Sequence, residues 1–227
     1  QQPSHSILVL LRPPTIFIIF AVLRYMHKSL LPFDKVPQLA KSDVAYATRD
    51  QRLRPFYQYD PTLETFSDII RDRAQVDYPR AELVAVLKNQ YQSLPPMPAV
   101  AAQIEALADT QTYTVTTAHQ PSLFLGPLYF LYKALTTINL AEAVQAQNAG
   151  KRIVPVFVLG SEDHDLEELN SIHLFGKKLS WSTEEKGAVG SMHTAGLAPV
   201  LTELKSILGE SEAATALYAR VETAYTK

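Results

Sequence analysis

A chain of 227 residues with 47% hydrophobic and 19% charged content carries enough apolar surface for a packed core, which excludes disorder along its whole length. A formal charge of −2, from 21 basic against 23 acidic residues, excludes a broad electrostatic pull toward nucleic acid or anionic lipid, so any anion site has to be local. With no cysteine the chain has no disulfide, thiolate metal ligand or cysteine nucleophile, and it fits a reducing cytoplasm.

Residues 7–23 are strongly apolar, but Arg12-Pro13-Pro14 interrupts them, and a run of about 17 residues is short for a membrane helix. No basic start precedes this run, and no small-residue cleavage site follows it, as an export signal requires. Met26 is the first methionine and ordinary soluble sequence follows it. Residues 1–25 are therefore expected to be an upstream, non-native extension, with a membrane or export segment as the alternative. The rest reads as a helical N-terminal segment, 26–110, and an α/β core, 111–227.

Pro32, Pro37 and Pro55 punctuate an irregular lead-in. Leu63, Phe66, Ile69 and Ile70 then recur at helical spacing, as do Leu83, Val86, Leu87 and Tyr91, with Asp60-Pro61 and Tyr78-Pro79 as starts. Two amphipathic helices are expected there. Pro95-Pro96-Met97-Pro98 breaks the pattern before a short helix over about 99–108. Residues 113–117 form a β-branched run, 118–126 a loop, and 127 to about 147 a long apolar-faced helix. Pro127 suits the first helical position, where a missing N–H costs nothing, and Asn148-Ala149-Gly150 supplies the stop. Residues 153–159 are almost wholly apolar, as in a strand covered on both faces by helices. Strand, helix and strand make a βαβ unit with parallel pairing and a right-handed crossover.

In open parallel α/β sheets, ligands bind outside the carboxyl ends of the strands, and two polar clusters fall there. The first, 119–127, runs into a helix N-terminus, whose free N–H groups and positive dipole end favour a phosphate or carboxylate. His119, Gln120 and Ser122 are its polar candidates for substrate binding, and Gly126 permits close backbone approach. Lys133 lies seven residues after Gly126, on the same helical face, and can reach back toward an anion at the helix start. The second cluster places Glu162, Asp163, His164 and Asp165 at the end of the next strand, with Asn170 close behind. Crowded carboxylates raise one another's pKa and hold a histidine protonated, which suits proton transfer near neutral pH. Their hard oxygen donors also suit Mg²⁺ for a nucleotide such as ATP, although no sequence feature fixes the cofactor. Neither a G-x-G-x-x-G nor a Walker loop is present.

Thr117-Ala118-His119-Gln120-Pro121, Phe124-Leu125-Gly126-Pro127-Leu128-Tyr129, Tyr132-Lys133-Ala134-Leu135-Thr136, Pro155-Val156-Phe157 and Ser161-Glu162-Asp163-His164-Asp165 together resemble the cysteine-adding enzymes of bacillithiol synthesis. The family usually has glycine where Ala118 and Leu125 stand. The resemblance implies an α/β, Rossmann-like parallel sheet of the nucleotidylyl-transferase type, preceded by a helical segment. It also implies a ligase that joins cysteine to glucosaminyl-malate in the cytoplasm, acting on small molecules without nucleic acid or membrane. A further half-sheet and a coiled-coil dimerisation region are expected after Lys227. The full protein would then be a homodimer, and this chain alone inactive.

Blander readings stand beside these. His119 and Gln120 could simply bond the turn, and a solvated helix cap would use the same residue types as 162–165. Lys133 could form an ordinary surface ion pair. Tyr129 and Tyr132 suit packing better than catalysis. Lys177-Lys178 reads as a solvated edge, and Ser122 and Ser161 have no base partner in sequence. A metal-dependent hydrolase using Asp163, His164 and Asp165, with His193 as a further ligand, is the second enzymatic reading. A non-catalytic nucleotide-binding module is the third.

Overall fold

The computed structural model describes residues 31–226, so the proposed extension at 1–25 lies outside the described residues. The described residues divide into two compact units, one ending at Pro61 and the other beginning at Thr62. In the first, one short helix, α1 (Lys41–Ala47), lies between 3₁₀ turns at Phe33–Lys35 and Gln51–Phe56. Tyr46 and Tyr57 meet edge to face at 5.6 Å. Asp50 caps the second turn through the Arg52 N–H; bonds from the Arg52 side chain and backbone lower its pKa to about 2.

The second unit begins with α2 (Phe66–Arg73), α3 (Arg80–Tyr91) and α4 (Pro98–Ala106). The first of these starts five residues after Pro61, because residues 61–65 are used in turns and Thr62 Oγ1 meets Thr65 Oγ1 at 2.9 Å. On α3 Val84 is buried and the expected Leu87 packs beside it, whereas Leu83 and Val86 are exposed. The apolar periodicity there was compatible with two faces, and contact with Ile104 and Leu107 selects the one bearing Val84.

Next come β1 (Thr112–His119), α5 (Leu128–Gln147) and β2 (Arg152–Leu159). The two strands pair in parallel, Thr112 opposite Arg152 through His119 opposite Leu159. Pro127 sits one place earlier than expected, as the N-cap with extended backbone rather than in the first helical turn. Successive strand residues face opposite sides, so Ile153 and Val154 enter different cores. Ile153 packs with Ile70, Ala141 and Val144, between the sheet and α2 and α5. Val154 packs with Val84, Ile104 and Leu107, between the sheet and α3 and α4. Helices thus cover both faces of a parallel pair. The cover stops short of the carboxyl ends: Phe157 still packs on Phe130 of α5, but Val158 and Leu159 are 46% and 54% exposed. Among the described residues, β1 and β2 pair only with each other. Leu128, Leu131, Tyr132, Leu135 and Ile138 form an exposed apolar stripe along α5, since Phe130, Thr137, Ala141 and Val144 take the inward face. Tyr132 is therefore not a packing residue among the described elements.

After β2 the chain makes the short helix α6 (Leu166–Leu169), then β3 (Ser171–Leu174) and β4 (Lys177–Ser180) as an antiparallel hairpin. Helices α7 (Ala198–Leu208) and α8 (Glu212–Tyr225) follow. The hairpin turns at Phe175 and Gly176, both at positive φ (48° and 80°), as a tight two-residue turn requires. Leu179, Trp181, Leu197, Val200 and Leu204 build a third core, and Leu123 from the loop after β1 joins it. No helix among the described residues is long and apolar enough to cross a membrane.

Candidate functional site

The parallel register brings the two polar stretches to one rim. The Gly160 N–H donates to the His119 carbonyl at 2.9 Å, continuing the ladder past the strand ends. From there Gln120 Nε2 donates to Asp163 Oδ2 at 3.1 Å. Residues 43 positions apart are thereby tied together at the carboxyl edge of the sheet.

His119 lies half-buried against α5, stacked on Tyr129 (5.1 Å between ring centres) and tilted against Phe130 (5.4 Å). Its Nδ1 is buried and has no hydrogen-bond partner. Lys133 Nζ donates to the Ala118 carbonyl, so the lysine points back toward the strand end, as its position on α5 allows. Ser122 is buried, with its side chain against Gly126. A Cβ on Gly126 would lie 2.5 Å from Ser122 Cβ, and Gly126 itself has φ 56° and ψ −146°, a backbone shape that side chains strongly oppose. Phe124 and Leu125 are also left-handed, at φ 48° and 69°. No side chain caps the start of α5. Its first N–H groups and positive dipole end therefore remain a place suited to an anion.

The acidic stretch is more structured than its composition suggests. Asp163 Oδ1 accepts the Asp165 N–H at 2.8 Å, and Asp165 in turn caps α6 through the Glu168 N–H at 3.3 Å. The Asp163 carboxyl is held below the usual carboxylate range, first by the Asp165 N–H and then by the Gln120 amide. The segment at 189–190 closes over this loop: the Val189 N–H donates to the Asp163 carbonyl (2.8 Å) and the Gly190 N–H to that of Ser161 (3.0 Å). Glu162 and His164 are exposed and free to meet a ligand. Asn170 ends α6, and its carbonyl accepts the Trp181 N–H at 2.8 Å. Among the described residues no three histidine or acidic side chains are grouped as metal ligands would be. His193 instead pairs with Glu185 at 3.2 Å. The acidic run thus does not fit a preformed metal centre, and the hydrolase reading has no geometry behind it.

A cleft of about 470 Å³ lies toward the amino end of β1 and is lined mainly by Ile70, Tyr113, Val144 and Ile153 with Arg73 and Arg80. It holds none of the motif residues. Tyr129, expected to pack, stacks on His119. No local sequence signal marks Tyr225, which contacts Phe124 from 101 positions away.

A parallel strand-helix-strand unit clad on both faces, with its polar groups gathered beyond the strand ends, places the chain among Rossmann-like α/β proteins. The chain belongs to the family described as "Bacillithiol biosynthesis BshC, N-terminal Rossmann-like domain", which matches residues 26–227. It is 39% identical over 170 residues to the proposed cysteine ligase BshC of Cytophaga hutchinsonii, covering 75% of this chain and 33% of that protein. It is 40% identical over 184 residues to the protein of the same name in Flavobacterium johnsoniae, covering 80% of this chain and 35% of that one. The corresponding Bacillus cytotoxicus protein is 35% identical over 133 residues, 59% of this chain. The chain thus spans about a third of the length of the first two relatives.

Proposed function

We propose that this chain is the Rossmann-like part of a ligase that joins cysteine to glucosaminyl-malate, with a core of the nucleotidylyl-transferase type. Family membership over residues 26–227 carries the activity. The Gln120–Asp163 hydrogen bond supports the location, because it unites both motif stretches at the rim where parallel α/β sheets bind ligands. The loop 119–126 and the start of α5 hold an anionic group, a substrate carboxylate or a phosphate, with His119, Gln120, Gly126 and Lys133 shaping the place. Ser122 supports that loop from within. Glu162 and His164, exposed members of the acidic stretch whose side chains are not spent on the loop's own backbone, handle the amine. Asp163 and Asp165 hold the stretch in shape, and Asn170 borders it.

Forming an amide from a free carboxylate requires activation, and ATP with Mg²⁺ would supply it. The chain's own contribution is a preorganised electrostatic one: backbone N–H groups at the start of α5 offset negative charge on the bound group. The partners of this reading are two small molecules, and the whole protein acts in the cytoplasm as a homodimer.

The test is product analysis by mass spectrometry with the complete gene product, cysteine, glucosaminyl-malate and ATP. The expected product is a new thiol equal in mass to the two substrates less one water. His164→Ala should lower its yield well beyond tenfold, within the range of lost acid-base catalysis. No thiol product from the wild type would overturn the assignment.

A further inference from the structure

Phe124 and Leu125 are consecutive left-handed residues with ordinary side chains, followed by Gly126 in a conformation of its own. Left-handed backbone is disfavoured for such residues, so the segment does not hold itself and needs support from outside. Its internal bonds, Leu125 N–H to the Ser122 carbonyl (3.2 Å) and Gly126 N–H to that of Leu123 (2.7 Å), close the turn but leave the Phe124 N–H pointing away. That N–H donates to the Tyr225 hydroxyl at 2.9 Å. The two rings also meet edge to face, 5.1 Å apart at 83°. Both side chains pack on the core built by the β3–β4 hairpin and α7. Burial raises the Tyr225 pKa, so the phenol stays neutral and hydrogen-bonding across the neutral range.

We propose that Tyr225 is a positioning residue: from the last turn of α8 it pins the strained loop in the shape that presents the start of α5 to an anion. The binding consequence rests on the function proposed above, but the pin itself does not. Without the hydroxyl the Phe124 N–H has no partner, and the loop drifts toward unstrained shapes that no longer leave the helix start open.

The test compares Tyr225→Phe with Tyr218→Phe in the complete gene product. The second variant removes a hydroxyl from the same helix that bonds Glu222 (3.1 Å) rather than the loop backbone. Amide hydrogen exchange at Phe124 should speed up by about tenfold or more in Tyr225→Phe, the scale of one lost buried bond, and stay unchanged in Tyr218→Phe. In steady-state kinetics Tyr225→Phe should raise KM for glucosaminyl-malate several-fold with kcat nearly unchanged. Unaltered Phe124 exchange in Tyr225→Phe overturns the proposal, as does an active enzyme whose KM does not move. If the wild type makes no amide while the exchange difference is present, the pin stands and the ligase reading falls.

Discussion

Replacing Gly126 with alanine tests the architecture of the rim loop most directly. At φ 56° and ψ −146° an L-residue is strained, which costs of order 1–3 kcal/mol. The new methyl would also lie 2.5 Å from Ser122 Cβ and 3.0 Å from its Oγ. Ser122 is buried, and its neighbours Leu123 and Phe124 are anchored in the hairpin core, so the loop cannot swing aside without exposing them. Overpacking of this kind adds about 1–3 kcal/mol. The narrower unfolded ensemble of alanine returns ~0.4–1 kcal/mol of the loss. The net expectation is a destabilisation of about 2–5 kcal/mol, read as a lower urea midpoint at unchanged slope. Adding Ser122→Gly to Gly126→Ala removes the clash but not the backbone strain, so the double variant should recover ~1–3 kcal/mol. A Gly126→Ala protein within about 0.5 kcal/mol of wild type, or no recovery in the double variant, would refute the reasoning.

Phe130→Ala should cost about 3–5 kcal/mol in urea unfolding, because the ring is buried between His119 and Phe157 (centroids 5.4 and 4.8 Å). Leu179→Ala, at a side chain with 0% exposure in the hairpin core, should cost ~2–5 kcal/mol by the same assay. For Asp163, whose folded pKa is lowered, NMR titration should give a midpoint below the ordinary value of about 3.9. The stabilisation linked to it is fully present above that ordinary value and disappears as pH falls through the lower folded one. Gln120→Ala should move the midpoint upward yet leave it below the ordinary value, since the Asp165 N–H still donates.

The parallel unit was legible because its signals are local. The apolar run of β2, the stop after Gln147 and the prolines before α4 each act within a few residues. The meeting of the two polar stretches followed from topology, since parallel strands must end at the same edge. What escaped depends on partners remote in sequence or on ambiguous chemistry. Phe175-Gly176 has the glycine of an Asn-Gly turn but a bulky aromatic at the first left-handed position, where asparagine or glycine normally marks a tight hairpin, so β3 and β4 were not expected. The aspartates at 163 and 165 look the same in sequence whether they move protons or satisfy backbone N–H groups, and only the distances show the second use. The glycine that the family usually has in place of Leu125 makes sense once its φ of 69° is known. The contact of Tyr225 with Phe124 leaves no trace in either segment alone.

That contact also imposes an order of events on a ribosome. Tyr225 is 101 residues downstream of Phe124, so at elongation speeds of about 5–20 residues per second the loop waits about 5–20 s after its own synthesis before it can lock. During that interval the left-handed segment is free to relax. The nascent unit therefore matures from its far end backward, acquiring its final rim only when α8 docks.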